Sequence, residues 1–132
     1  LNATDQYDEE IAERVVRFLE SGYQRQLRYK RYDNSFSAFG NNDRAGSTWL
    51  TAFVARSFKL AAQFIYIDEE IVAESLRFLK RQRNRSTGAF VERGEVHNKA
   101  LQGGSAQEGD VAMTAYVLIA LLVNGVSTKI CY

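Results

Sequence analysis

Apolar positions return at helical spacing in four stretches of this chain, and the four fall into two similar pairs. Downstream of Asp8, the residues Ile11, Val15, Phe18, Leu19 and Gly22 share one stripe, while Glu13, Arg14, Arg17 and Glu20 occupy the other side. That pattern predicts an amphipathic surface helix running to about Tyr29. Asp8 suits its N-cap, and Glu9 and Glu10 suit the positive end of the helix dipole. The opening recurs sixty residues later as Asp68-Glu69-Glu70-Ile71, and Arg17-Phe18-Leu19 recurs as Arg77-Phe78-Leu79. A second outer helix is therefore expected from Asp68 to about Arg83, with Ile71, Val72, Ser75, Leu76 and Leu79 on its core face.

The stretches between are different in kind. Ser47 or Thr48 can cap a helix through Ala62 whose wide apolar face holds Leu50, Phe53, Val54, Ser57, Phe58 and Ala61. Thr51-Ala52-Phe53-Val54 is echoed by Thr114-Ala115-Tyr116-Val117 at a spacing of sixty-three. From Val111 to Val123 only Thr114 interrupts an apolar run, so this helix, with Asp110 as candidate cap, is expected to be buried on all sides. Each inner helix follows a glycine-bearing loop with a short aromatic tag, Ser35-Phe36-Ser37-Ala38-Phe39-Gly40 and Thr87-Gly88-Ala89-Phe90.

Outer helix, loop, inner helix, repeated twice, without proline and without a strand pattern, predicts an all-α fold: a partial α/α toroid or layered solenoid. Such units bury their cores against neighbours, and two are too few to close an array. The chain opens on Leu1, and its one methionine is Met113. It is accordingly expected to be a piece of something larger, residues 1–132 forming one fragment with apolar faces open at both ends. The long stretch from Asn84 to Gly109, which includes Gly103-Gly104, exceeds what a compact hairpin needs and is the first place to look for function.

At 132 residues the chain has room for one modest domain, and 45% hydrophobic with 25% charged residues fits a folded protein. A net charge of +1 gives no field for nucleic acid or an anionic membrane, and no apolar run is long enough to span a bilayer. Cys131 is either a plain thiol or half of a disulfide whose partner lies beyond the chain. Asn2-Ala3-Thr4 and Asn84-Arg85-Ser86 are glycosylation sequons, meaningful if the protein is secreted.

His97 is the single histidine, with no cysteine near it, so no metal site is expected, and no phosphate-cradling loop or hydrolase elbow indicates a cofactor. The acids at 8–10 and 68–70 read as dipole-complementing charge rather than catalytic carboxylates. The basic stretches, Arg25, Arg28, Lys30 and Arg31 and then Arg77, Lys80, Arg81, Arg83 and Arg85, read as cations at helix C-termini. Trp49, Phe53 and Phe58 read as core rather than a ligand platform.

Several strings together resemble a known family. Gly22-Tyr23-Gln24-Arg25-Gln26-Leu27, Tyr32-Asp33 with Phe36 and Phe39-Gly40, Thr48-Trp49-Leu50-Thr51-Ala52-Phe53-Val54, Ile67-Asp68-Glu69, and Gln102-Gly103-Gly104 before Thr114-Ala115-Tyr116 look like the thioester domain of the alpha-2-macroglobulin and complement C3 superfamily. The likeness runs over about residues 1 to 123. It implies an α/α toroid of six hairpins, of which this chain would hold about two. It also implies an internal thioester between a cysteine and a glutamine of a Gly-Cys-Gly-Glu-Gln motif, expected upstream of Leu1. Cys131 lies at the wrong end to replace that cysteine.

One position sorts members of the family. Those that prefer hydroxyl acceptors carry a histidine before the Gly-Gly pair, which attacks the thioester; those that react chiefly with amines carry asparagine. Counting back from Gly103 without a gap puts Asn98 there, and a one-residue slip of the loop would put His97 there. The resemblance therefore implies a secreted, extracellular endopeptidase inhibitor that couples to attacking proteases, its partners being those proteases and the rest of the parent macroglobulin chain. The alternative is a complement C3-like opsonin of innate immunity that esterifies surface hydroxyls through His97. Toroid enzymes, such as prenyltransferases and glycan-processing enzymes, would need metal ligands or paired carboxylates at the mouths of the inner helices. Thr51 and Thr114 are almost the only polar residues there, so the chain reads as not an enzyme.

Overall fold

The computed structural model describes residues 3–94 and 110–127. These hold four α-helices in chain order: α1 (Ala3–Leu27), α2 (Thr48–Ala61), α3 (Glu69–Arg81) and α4 (Asp110–Val123), with a short 3₁₀ turn at Gly40–Asn42. Among the described residues there is no strand, only isolated bridges pairing Lys30 with Phe36, Phe36 with Ser47 and Arg83 with Phe90. The fold is the all-α, partial α/α toroid that the repeat predicts.

Helix α2 is the inner element because it is buried on two sides. Val54 and Phe58 on one side join Tyr23, Phe36, Ile65 and Ile67 in a core shared with α1 and the start of α3. Ala52 and Ala55 on the other side join Phe78, Leu79, Phe90, Met113, Val117, Ala120 and Leu121, a core shared with α3 and α4. The two alanines, and Ala120 of α4, are almost fully enclosed in that core. Phe58 anchors the first core by two edge-to-face contacts, to Tyr23 at 4.9 Å between ring centroids and to Phe36 at 6.1 Å. Each such pair contributes about 0.5–1.5 kcal/mol beyond burial.

Local chemistry sets most element ends. Ser47 caps α2, its side chain accepting the Leu50 amide, and Asp68 caps α3 by accepting the Glu70 amide. Helix α1 departs from expectation at both ends. It is helical from Ala3, so Asp8, Glu9 and Glu10 lie inside it, and Asp5 is the acid of its first described turn. Nothing between Ala3 and Tyr7 breaks a helix, and a favourable cap residue does not force a start. The C-terminal end comes at Leu27 rather than Tyr29, because the amides of Arg28, Tyr29 and Lys30 bond three residues back and the chain then folds over to pair Lys30 with Phe36. The sixty-residue echo is thus capped alike in sequence and differently in structure. On α3 the buried face includes Phe78, which the expected stripe omitted, alongside Ser75 and Leu79.

Burial of α4 on all sides does not hold. Met113, Val117, Ala120 and Leu121 are buried, but Val111 is 76% and Leu122 56% exposed. The reason is layering: among the described residues α4 has α2 on one face and nothing on the opposite one. Helix α1 shows the same imbalance, with Phe18 75% exposed on the apolar stripe it shares with Ile11 and Val15. Both ends of the two-hairpin stack therefore present apolar helix faces, as an open array requires.

Candidate functional site

Each inner helix, α2 from Thr48 and α4 from Asp110, follows its aromatic tag in the chain, and the same latch holds both tags. The Phe36 backbone N–H donates to Thr51 Oγ1 at 2.9 Å, and the Phe90 N–H donates to Thr114 Oγ1 at 2.9 Å. This explains why the Thr-Ala-aromatic-Val string appears twice: each threonine satisfies the one amide that would otherwise be stranded as the tag crosses the helix. On the other side each tag is bridged to the end of its outer helix, Phe36 to Lys30 and Phe90 to Arg83.

Beyond the second tag, residues 91–94 lie across the N-terminus of α2. The Glu92 carboxylate accepts the Thr48 amide through Oε1 at 2.8 Å and the Trp49 amide through Oε2 at 2.8 Å. It also accepts Ser47 Oγ at 3.2 Å and the Gly94 amide at 3.0 Å. Thr48 Oγ1 donates to the Val91 carbonyl at 2.7 Å. An anion on the first amides of a helix also meets the positive end of its dipole. Glycine is required on both sides of this junction. A Cβ on Gly94 would sit 2.7 Å from the Gly46 carbonyl oxygen, and one on Gly46 would overlap Ser35. Segment 91–94 is therefore pressed backbone to backbone on the loop before α2, and it is the fixed base from which residues 95–109 depart.

The first loop has its own organiser, Arg31, which is 2% exposed. Its Nη1 donates to the carbonyls of Gly40, at 2.8 Å, and of Asp43, and its Nε lies 3.7 Å from Asp33 Oδ1. Arg31 is thus a buried scaffold group rather than a surface cation at the end of α1. The helix-end reading holds for Arg25 in the last turn of α1 and for Lys80 and Arg81 in the last turn of α3, but Arg77 is midway along α3, paired with Glu70, and Lys30 beyond α1 pairs with Glu74 of α3. A polar cleft lined by Asn42, Asp43, Arg44, Ala45, Arg93 and Gly94 opens beside the Glu92 clamp.

The three expected core aromatics separate. Phe58 is core, while Trp49 lies half-buried between Phe53, 5.7 Å away, and Tyr116, 5.5 Å away, in parallel stacks. Phe53 is largely exposed at the end of that stack. Burial pushes the Tyr116 hydroxyl above the usual tyrosine range, and the Arg56 guanidinium acts against that shift.

Of the residues singled out by sequence, His97 and Asn98 lie outside the described residues, as do Asn2, Cys131 and Gly103-Gly104. Asn84 is described and stands exposed just past the end of α3. Among the described residues no group of three or more histidine, cysteine, aspartate or glutamate side chains could hold a metal ion. No described helix is long and apolar enough to cross a membrane. Sequence reasoning missed Glu92, since a lone carboxylate in a stretch without periodicity gives no signal. Gly46 and Gly94 carried only the generic mark of loop glycines. Thr51 and Thr114 did carry a signal, their recurrence in the repeated string.

Comparison with known proteins bears on this arrangement directly. A family model described as the A-macroglobulin TED domain matches residues 1–129. Ovostatin from Gallus gallus is 42% identical over 125 residues, which is 95% of this chain and 8% of that protein. The chain thus spans a small part of the length of the curated relative it matches. The repeated hairpins, the two tag latches and the sequence relationship lead to one assignment: the chain belongs to the A-macroglobulin family, as a stretch of its thioester domain.

Proposed function

We propose that this chain supplies scaffold helices and the acceptor-selecting loop of the thioester domain in a secreted A-macroglobulin-type endopeptidase inhibitor. In this reading the cysteine and glutamine of the thioester lie upstream of Leu1. A protease cleaves the parent elsewhere, the parent rearranges, and an amine on the protease attacks the thioester carbonyl. The carbon–sulfur bond breaks, the amide forms and the thiol is released with the amine's proton. The chain is not itself an enzyme.

The observation that carries this reading is the kinship to ovostatin across nearly the whole chain, inside a match to the A-macroglobulin domain. The Glu92 clamp supports it, because it anchors to α2 the segment that leads directly into His97 and Asn98. Asn98 at the gap-free position favours amine over hydroxyl acceptors.

The test uses the full-length parent. Exposed to trypsin, it should yield a covalent protease adduct that survives denaturing electrophoresis and disappears after methylamine pretreatment. Coupling to glycerol should be slow and unchanged by His97→Ala. Rapid glycerol coupling abolished by His97→Ala would instead establish the hydroxyl-directed, opsonin-like chemistry, and absence of any adduct would remove the inhibitor reading.

A further inference from the structure

The turn that follows α3 has been built around one asparagine. The Asn84 amide donates to the Ala89 carbonyl at 2.7 Å, and the Asn84 carbonyl accepts the Gly88 amide at 2.8 Å. Its side-chain Oδ1 accepts the amides of Ser86, at 2.9 Å, and Thr87, at 3.3 Å. Gly88, at a φ of 77°, closes the turn in a conformation that other residues adopt with strain. Three of the four polar groups of Asn84 are therefore engaged. The fourth, the side-chain Nδ2, has no partner among the described residues and points from an exposed residue. Arg85, Ser86 and Thr87 are exposed as well, and residues 84–86 read Asn-Arg-Ser.

We propose that Asn84 carries an N-linked glycan. The inference rests on the secretion reading above, since the acceptor triplet is used only in a secretory compartment. The chemistry needs a nucleophilic side-chain amide, a hydroxyl two residues on, and room on every side. In the observed turn Oδ1 holds the Ser86 backbone amide, so the acceptor triplet is an ordered, exposed turn with Nδ2 uninvolved in its hydrogen bonds. The co-reactant is a polyprenyl-diphosphate oligosaccharide. The bond between Asn84 Nδ2 and the anomeric carbon of the first sugar forms, the bond from that carbon to the diphosphate oxygen breaks, and the amide proton leaves with the lipid diphosphate.

Attachment disturbs nothing already built. Every hydrogen bond inside the turn uses backbone groups, Asn84 Oδ1 or Thr87 Oγ1, and none uses Nδ2 or Ser86 Oγ. The turn connects α3 to the Phe90 latch and then to the Glu92 clamp, so the glycan stands on the connection between them. A glycosylated turn cannot be covered, which leaves this corner of the domain facing solvent in the parent.

The test expresses the full-length parent in a eukaryotic secretory host and digests the secreted protein with a glutamate-specific protease. That digestion isolates Ser75–Glu92 from the peptide holding Asn2. The Ser75–Glu92 peptide should carry a glycan removable by an amidase that leaves aspartate at position 84. Ser86→Ala should abolish that glycan without altering the thermal melt, and Ser86→Thr should retain or increase occupancy. A secreted parent with an unmodified Asn84 overturns the proposal and leaves the secretion reading standing. A parent retained in the cytosol overturns the secretion reading, and the proposal with it.

Discussion

Glu92→Ala is the most direct probe of how this domain holds segment 91–94 against α2. The substitution removes the acceptor for two backbone amides at the start of α2, for Ser47 Oγ and for the Gly94 amide. Bonds to a charged group contribute about 1.5–3 kcal/mol each, but these four share one carboxylate that is only partly buried, and water can reach some donors once it is gone. The expected loss is therefore about 2–4 kcal/mol, well below the sum of its parts. For a domain of this size that lowers the melting temperature by about 3–5 °C per kcal/mol. Glu92→Gln keeps one carbonyl acceptor and loses the charge facing the helix dipole, so a loss of about 1–2 kcal/mol is expected. Urea unfolding of both variants beside Glu20→Ala, an exposed change on α1 expected to stay within about 0.5 kcal/mol, gives the comparison. Hydrogen exchange should show the Thr48 and Trp49 amides losing protection first. If Glu92→Ala unfolds at the same urea concentration as Glu20→Ala, segment 91–94 is not anchored by its carboxylate and the clamp argument fails.

Two further predictions come from the latches and the aromatic stack. Thr51→Val keeps shape and strands the buried Phe36 amide, so it should destabilise by about 1–3 kcal/mol. Thr114→Val should cost less, because the Phe90 bond it removes is only partly buried; equal stability of both variants and the parent sequence in urea would refute the latch. Tyr116 ionises less readily in the folded chain than in the unfolded one. Its contribution is thus fully present below the unfolded value of about 10 and is lost as pH rises through the raised folded value. Melting temperatures measured from neutral pH into the alkaline range should fall more steeply for the parent sequence than for Tyr116→Phe, which keeps the ring beside Trp49. Parallel curves would show that the hydroxyl's burial has no thermodynamic effect.

The legibility of this chain differed from element to element for physical reasons. Period and amphipathicity located four helices because each must turn an apolar face toward a core, and that demand is written locally. The cap of α2 at Ser47 and of α3 at Asp68 was equally local, since each side chain bonds an amide within three residues. The same signal failed at Asp8, where Ala3 to Tyr7 continue the helix and leave a good cap unused. Exposure of Val111 and Leu122 was beyond the reach of composition, because a greasy helix states its need for neighbours and not whether they are present.

The sequence by itself determined the all-α class, the pairing of outer with inner helices and, through strings such as Gly22–Leu27 and Thr48–Val54, kinship to the A-macroglobulin domain. All of these follow from short-range periodicity and from strings a few residues long. Only the tertiary structure decided what those strings are for. Thr51 and Thr114 latch aromatic tags 15 and 24 residues upstream, Tyr23 on α1 accepts the Asp68 amide at the start of α3, and Glu92 spans more than forty positions to the first turn of α2. Such contacts depend on how helices stack and where loops cross them, and a one-dimensional pattern carries no record of that crossing. The anchoring of segment 91–94 on α2 is therefore a property of the packed hairpins, although each residue that builds it is chemically ordinary.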